Sequence, residues 1–219
     1  MFIRFDDDAS WRYRILGIDN GTNTVGIVML DHDIRTGVSI VTRAETFKAD
    51  RTSGTRYPDM EFYEDTLRAR LRTIQGYMST VLEDEDPDSV AIETPFARRA
   101  FVTSYKALSM SLDYIQNAVY DYRPGLEFVG ISPYTAKAAV IPKGSNFKTE
   151  KDFIRDCILA EPDIIAGPGI NLRSLDEHSI DAISVARAVA LRETLDPYWQ
   201  RHYQRIKDSD GTNMVVPLT

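Results

Sequence analysis

The sequence predicts a mixed α/β fold: a five-stranded sheet, with three antiparallel strands followed by parallel crossovers and helices on both faces. Three observations carry this reading. Runs rich in Ile, Val and Leu at 12–19, 24–31 and 38–47 follow one another with only Gly-, Asn- and Asp-containing breaks, the pattern of consecutive hairpin-linked strands. Two shorter apolar runs, Ser89–Glu93 and Leu126–Ile131, alternate with long segments of helical periodicity, the pattern of crossover units. A hydrophobic content of 43% over 219 residues is enough for one domain's core.

The elements follow in order. After the first strand, Asn20-Gly21 is a hairpin-type dipeptide, because both residues tolerate positive φ. Residues 48–58 read as a loop with Gly54 and Pro58. A helix over about 59–82 places Phe62, Leu67, Leu71, Ile74 and Met78 near helical spacing. Ser89–Glu93 is too short and β-branched for a helix and reads as a buried strand. The helix at about 103–122 has an apolar stripe, Leu108, Leu112, Ile115 and Val119. It has a second, small-residue face at Ala107, Ser111, Tyr114 and Ala118. Ser132-Pro133 starts another helix, with proline at its first position. Lys143–Lys148 is a polar loop, 149–160 a helix, and Glu161–Asn171 a connector containing Pro162, Gly167, Pro168 and Gly169. Ser174-Leu-Asp-Glu177 reads as a capping box that starts the last helix near Leu175 and lets it run to about Thr194. This is the ribonuclease H-like order. The expected organisation is an N-terminal extension over 1–12, one folded domain over 13–194 and a polar C-terminal tail over 195–219.

Composition narrows the class. No apolar run reaches the ~20 residues of a membrane helix, and Met1–Asp8 turns acidic at once without a signal-peptide apolar region. The single cysteine, Cys157, excludes an internal disulfide and suits a reducing compartment, so the expected location is cytoplasmic. Net charge is −7, which argues against a nucleic-acid partner. The distribution answers that objection: Phe96–Arg155 holds nine Lys/Arg and five Asp/Glu, so this stretch is +4 and the remainder −11. Phosphate contact depends on local basic surface rather than total charge.

Four residues in three separated places carry the chemistry. Asp19 closes one apolar run and Glu93 closes another. If those strands are neighbours, two carboxylates meet at one sheet edge, where they repel unless a cation stands between them. His178 and Asp181, at i and i+3, share one face at the start of the last helix. Oxygen ligands suit magnesium, and a pair of such ions stabilises the attacking and leaving oxygens of a phosphoryl displacement. The expectation is magnesium-dependent cutting of a phosphodiester.

The motifs resemble the RuvC family of Holliday junction resolvases, in the retroviral integrase and ribonuclease H superfamily. Ile15-Leu-Gly-Ile-Asp19-Asn-Gly-Thr resembles the family's first motif, Val90-Ala-Ile-Glu93-Thr-Pro-Phe96 its second, and His178-Ser-Ile-Asp181-Ala-Ile-Ser-Val-Ala its last. Gly21-Thr-Asn-Thr-Val-Gly26 also resembles the RuvC motif of RNA-guided CRISPR nucleases, whose other domains this chain is too short to hold. The resemblance covers about residues 13–192. It implies a homodimer that binds a four-way DNA junction and nicks two strands of like polarity symmetrically, leaving 5′-phosphate and 3′-hydroxyl ends. It implies Asp19, Glu93, His178 and Asp181 as catalytic residues and as ligands of two Mg2+ ions, with Mn2+ able to substitute. It places Phe96 against bases at the junction centre and turns Arg98, Arg99 and Lys106 to DNA. The family's basic segment matches Lys137, Lys143, Lys148 and Lys151, one of which would steady the scissile phosphate. The setting implied is nucleoid-associated, or host cytoplasm for a viral member.

The chain departs from the family pattern at Asn20, where the family has proline, in its two terminal segments and in its acidic total. Two other readings stay open at this level. One is a nuclease of the same family acting on other branched DNA. The other is an ATP-binding domain of the actin and sugar kinase type, because Asp19-Asn-Gly-Thr22 also resembles that superfamily's phosphate turn. That superfamily has no need of His178 and Asp181.

Overall fold

Long alternating runs of β-branched residues want strand partners on both sides, and most of this chain's sheet is built from three of them. The structure is a computed structural model that describes residues 2–4, 11–49, 66–96, 102–145, 150–194 and 215–217. Its elements are β1 (Phe2–Arg4), β2 (Arg12–Asp19), β3 (Thr24–Asp33), β4 (Ser39–Lys48), α1 (Thr66–Glu85), β5 (Ser89–Glu93) and α2 (Val102–Tyr122). Then come β6 (Glu127–Ile131), α3 (Pro133–Ala138), α4 (Lys151–Ala160), β7 (Ile164–Ala166), a 3-10 turn at Leu172–Ser174, α5 (Glu177–Glu193) and β8 (Val215–Pro217). The predicted loop at 48–58 lies almost wholly outside the described residues, as do the predicted helix start near 59 and Phe62.

The main sheet has the order β6-β5-β2-β3-β4-β7. β2, β3 and β4 are antiparallel neighbours. β5 lies parallel to β2 and β6 parallel to β5. β1 and β8 pair with each other in a separate antiparallel ribbon. The five-stranded expectation needs correcting to six. Ile164-Ile165-Ala166, read from sequence as connector, adds as a parallel edge strand on β4. Three residues between Pro162 and Gly167 carry no periodicity. The unpaired edge of β4 orders them: Ser39 N donates to Asp163 O at 2.7 Å, and Gly167 N to Val41 O at 2.9 Å.

Side-chain alternation splits the core into two layers. Leu16 and Ile18 of β2, with Val25, Ile27 and Met29 of β3, pack with α1 and α2. Ile15 of β2 and Val28 and Leu30 of β3 pack with α3, α4 and α5. Period two therefore puts Gly17 and Asp19 on the α5 side. Buried residues ring α5, including Ile180, Ile183, Val185, Ala186, Val189 and Ala190. Its cap also corrects the sequence reading: the N-cap is Asp176, not Ser174, whose residue instead ends the 3-10 turn. Asp176 Oδ1 accepts from Ser179 N at 2.9 Å and from Thr46 Oγ1 at 2.6 Å. The reach of Thr46 from β4 selects Asp176 and pins the start of α5 to the sheet. On the small-residue face of α2, Ser111 and Ala118 are buried, and Ala107 and Tyr114 are half-buried.

At the opposite end of α5 a buried polar network closes the sheet. His32 is fully buried, with Nδ1 3.0 Å from Ser39 Oγ and Nε2 3.0 Å from Thr194 Oγ1. Arg187, also buried, donates to Gly37 O at 2.7 Å and to Ser39 Oγ at 3.0 Å. Burial, reinforced by the Arg187 charge, pushes His32 down to about 4. Among the described residues no helix is long and apolar enough to cross a membrane.

A histidine neutral in the fold and ionisable near 6.5 when unfolded favours folding above 6.5, and that favour is lost as pH falls toward 4. Chemical denaturation at stepped pH is expected to show His32 contributing on the order of 2–4 kcal/mol to the loss of stability between those values. His32→Gln is expected to flatten the slope there. An unchanged slope would refute the assignment.

Candidate active site

Strand registers, not loops, bring the first two carboxylates together. β2 and β5 run parallel with Ile18 level with Ile92, so the next residues, Asp19 and Glu93, end adjacent strands side by side. Across the other edge of β2, Asp19 pairs with Gly26 of β3. Both carboxylates lie on the sheet face that α5 covers.

α5 reaches them because two glycines admit it. A Cβ on Gly17 would stand 2.5 Å from Ala182 O and 2.7 Å from Ala186 Cβ. A Cβ on Gly26 would collide with the His178 carbonyl. Real Cβ atoms do not approach so closely, so only glycine lets the helix settle at this depth. The first turns of α5 then present His178 and Asp181 to the strand ends. His178 Nδ1 donates to Asp19 Oδ2 at 2.7 Å. That hydrogen bond raises the imidazole's pKa, against the opposing effect of partial burial.

Glu93 records the crowding. Burial first, then the charges of Asp19 and Asp181, push its carboxyl up to about 7, and Lys137 offsets part of this. Three carboxylates from β2, β5 and α5 therefore share one field at the sheet edge. Among the described residues no three His, Asp or Glu side chains are gathered tightly enough to grip an ion as they stand; Asp19 is turned to His178 instead. The donor set nevertheless fits a hard divalent cation: hard carboxylate oxygens, an imidazole and mutual repulsion that a cation would relieve. Asn20 Oδ1, buried without a hydrogen-bond partner among the described residues, adds an oxygen acceptor beside Asp19.

α2 steadies the turn that carries Asp19. Asn20 Nδ2 donates to Leu108 O at 3.1 Å, and Ser111 Oγ donates to Gly21 O at 2.8 Å. Beside Glu93 opens a groove of about 530 Å³, lined among others by Asn20, Phe96, Leu108, Tyr134 and Lys137. Of the residues expected to face DNA, Phe96 and Lys137 are at this groove. Lys106 is exposed on α2 and Lys143 on the turn after α3. Arg98, Arg99 and Lys148 lie outside the described residues, and Lys151 opens α4 with its side chain likewise undescribed. Sequence reasoning missed Tyr134, although its spacing of three from Lys137 on one helix was a usable signal. It also missed the two α2 clamps, which join residues far apart in the chain.

A carboxyl held at about 7 in the fold against 4.5 unfolded favours folding below 4.5, and that contribution is lost as pH rises through about 7. Metal-free Glu93→Gln is therefore expected to melt a few degrees above the unsubstituted protein at pH 8. Mg2+ is expected to raise the melting point of the unsubstituted protein and to do less for the variant; equal melting points without metal would refute the crowding. Gly26→Ala is expected to cost about 1–3 kcal/mol of stability in a denaturant titration. It is also expected to weaken Mg2+ binding in calorimetry, because His178 must shift. Unchanged Mg2+ affinity would separate the glycine from the site.

No protein-family model matches the chain. Two curated sequences do, both named crossover junction endodeoxyribonuclease RuvC. The one from Chlamydia caviae is 28% identical over 152 residues, 69% of this chain and 80% of that protein. The one from Chlamydia abortus is 27% identical over 152 residues, covering 69% and 82%. Among solved structures, Thermus thermophilus RuvC in complex with a Holliday junction substrate aligns over 93% of this chain and 99% of its own, with TM-score 0.58 and 17% identity. The yeast mitochondrial Holliday junction resolvase Ydc2 aligns over 90% and 83%, with TM-score 0.60 and 16% identity. The solved structures establish the ribonuclease H-like fold. With that fold, the two sequence matches and the three motifs at one sheet edge support a likeness to the RuvC family of resolvases.

Proposed function

We propose that the protein is a structure-selective endodeoxyribonuclease that resolves four-way DNA junctions as a homodimer, by paired symmetric nicks that leave 5′-phosphate and 3′-hydroxyl ends. The observation that carries this reading is the convergence of Asp19, Glu93 and Asp181 from three elements, with Glu93 pushed up to about 7 by burial and by the other two charges. Asp19, Glu93, His178 and Asp181 would hold two Mg2+ ions, for which Mn2+ would substitute. Bound there, the ions would supply activation of the attacking water and neutralisation of charge on the phosphate.

The chain's own groups have separate tasks in this reading. Asp19 and Glu93 are held side by side by adjacent strand ends, so their backbones are in place and the Asp19 side chain would have to turn from His178 to share a cation. His178 would hold an ion through an imidazole nitrogen, and its Nδ1 proton is at present engaged by Asp19. Lys137 lies close enough to Glu93 to act on its charge and is the basic side chain best placed to meet the scissile phosphate. Phe96, 66% exposed at the groove mouth, offers a ring to an unpaired base. Arg98, Arg99, Lys106, Lys143, Lys148 and Lys151 would contact the arms of the junction. Lys/Arg contacts to phosphate make affinity fall with salt. The core domain over 13–194 would carry all of this, with the terminal segments outside it.

A synthetic four-way junction incubated with the protein and Mg2+ tests the proposal. Paired, religatable nicks are expected, with Asp19→Asn and Glu93→Gln at least about a thousandfold slower. His178→Ala is expected to lose activity and His178→Asp to keep some. ATP turnover without cleavage would sink the proposal, and preferential cutting of a flap or fork would redirect its substrate.

A further inference from the structure

The groove beside Glu93 has two aromatic walls. Phe96 and Tyr134 are the most exposed large apolar side chains among the described residues, at 66% and 67%. They come from different elements, one just after β5 and the other in the first turn of α3, yet line the same cavity of about 530 Å³. Scattered exposed aromatics need no explanation, but two in one concavity mark a contact surface. The size is that of a small-molecule or nucleotide site.

The surroundings say what the rings would meet. Glu93 lies at one side, and Lys137, one helical turn after Tyr134, lines the same groove. A cation near aromatic faces beside a cation-binding carboxylate cluster matches a nucleotide: phosphate to the lysine, base to the rings. Tyr134 is also held in place by its short helix. Pro133 sets the first φ of α3, and Ser132 Oγ accepts from Thr135 N at 3.1 Å. A ring on a fixed backbone with two χ angles loses little freedom on stacking.

We propose that Tyr134 is a base-stacking residue that forms, with Phe96, a cleft for one unpaired nucleobase next to the phosphate being cut. The inference rests on the nuclease reading above and adds a second ring to it. Stacking reads π-faces rather than base edges, so the cleft tolerates any base and helps select strands whose pairing is already broken, as at a junction centre.

The test uses the full chain. Asp19→Asn protein is bound to four-way junctions carrying one 5-iododeoxyuridine at successive positions near the crossover, irradiated, and the cross-linked peptide identified by mass spectrometry. The Tyr134 peptide is expected to link to a nucleotide adjacent to the cut. In the active protein, Tyr134→Ala is expected to lower kcat/KM roughly 5- to 100-fold. Tyr134→Phe, which keeps the ring, is expected to recover most of that. The salt dependence of binding is expected to stay unchanged in Tyr134→Ala but to become shallower in Lys137→Ala. Cleavage by Tyr134→Ala at the unsubstituted rate, or cross-links that never reach Tyr134, would overturn the inference and leave the nuclease reading standing. Failure of the unsubstituted protein to bind or cut four-way, forked or flapped DNA would remove both.

Discussion

The contact on which the site depends is the close approach of α5 to β2 and β3. Gly17 and Gly26 leave no room for a Cβ between the sheet and the helix backbone. Alanines at 182, 186, 188 and 190 keep the helix itself slender among its buried residues. Asp176, held by Thr46, sets where the helix begins. With depth and starting point set, His178 and Asp181 have one place to go. A helix one methyl layer further out would leave Asp19 without its imidazole and Glu93 without one of its two neighbouring charges.

That packing brings groups together whose charges oppose one another. The sheet would be easier to fold with neutral residues at 19, 93 and 181, and Glu93 answers by holding its proton toward neutral pH. His178 partly relieves Asp19 through a 2.7 Å hydrogen bond. The resting arrangement is thus a set of carboxylates partly neutralised by protons, which a divalent cation is suited to displace. The far end of α5 has the opposite character. There His32 is kept neutral, and Arg187 donates to a backbone and a hydroxyl oxygen with the Asp163 carboxylate nearby, a network that closes the fold.

Much of this was legible before folding. Strand-end acids at 19 and 93 were visible as polar residues closing apolar runs, and period two put Asp19 on the same face as Gly17 and Ile15. His178 and Asp181 were visible because i and i+3 share a helix face. The sixth strand was not, because three residues have no period and depend on an edge supplied by β4. The cap at Asp176 was misread because the capping-box pattern at Ser174 was local, whereas the choice was made by Thr46, 130 residues away. Nor was the task of Ser111 on the small-residue face of α2 legible, because it grips the turn after Asp19, 90 residues away in the chain.

By itself the sequence determined the order of the main strands and helices, the helices on both faces and the four residues proposed as metal ligands, since these follow from local periodicity and residue chemistry. Only the tertiary structure decided which strands are neighbours at the site, how deeply α5 sits, and which ring shares the groove with Phe96. Register, depth and juxtaposition are relations between segments far apart in the chain, and they are settled by steric fit and backbone pairing that no single stretch of residues contains.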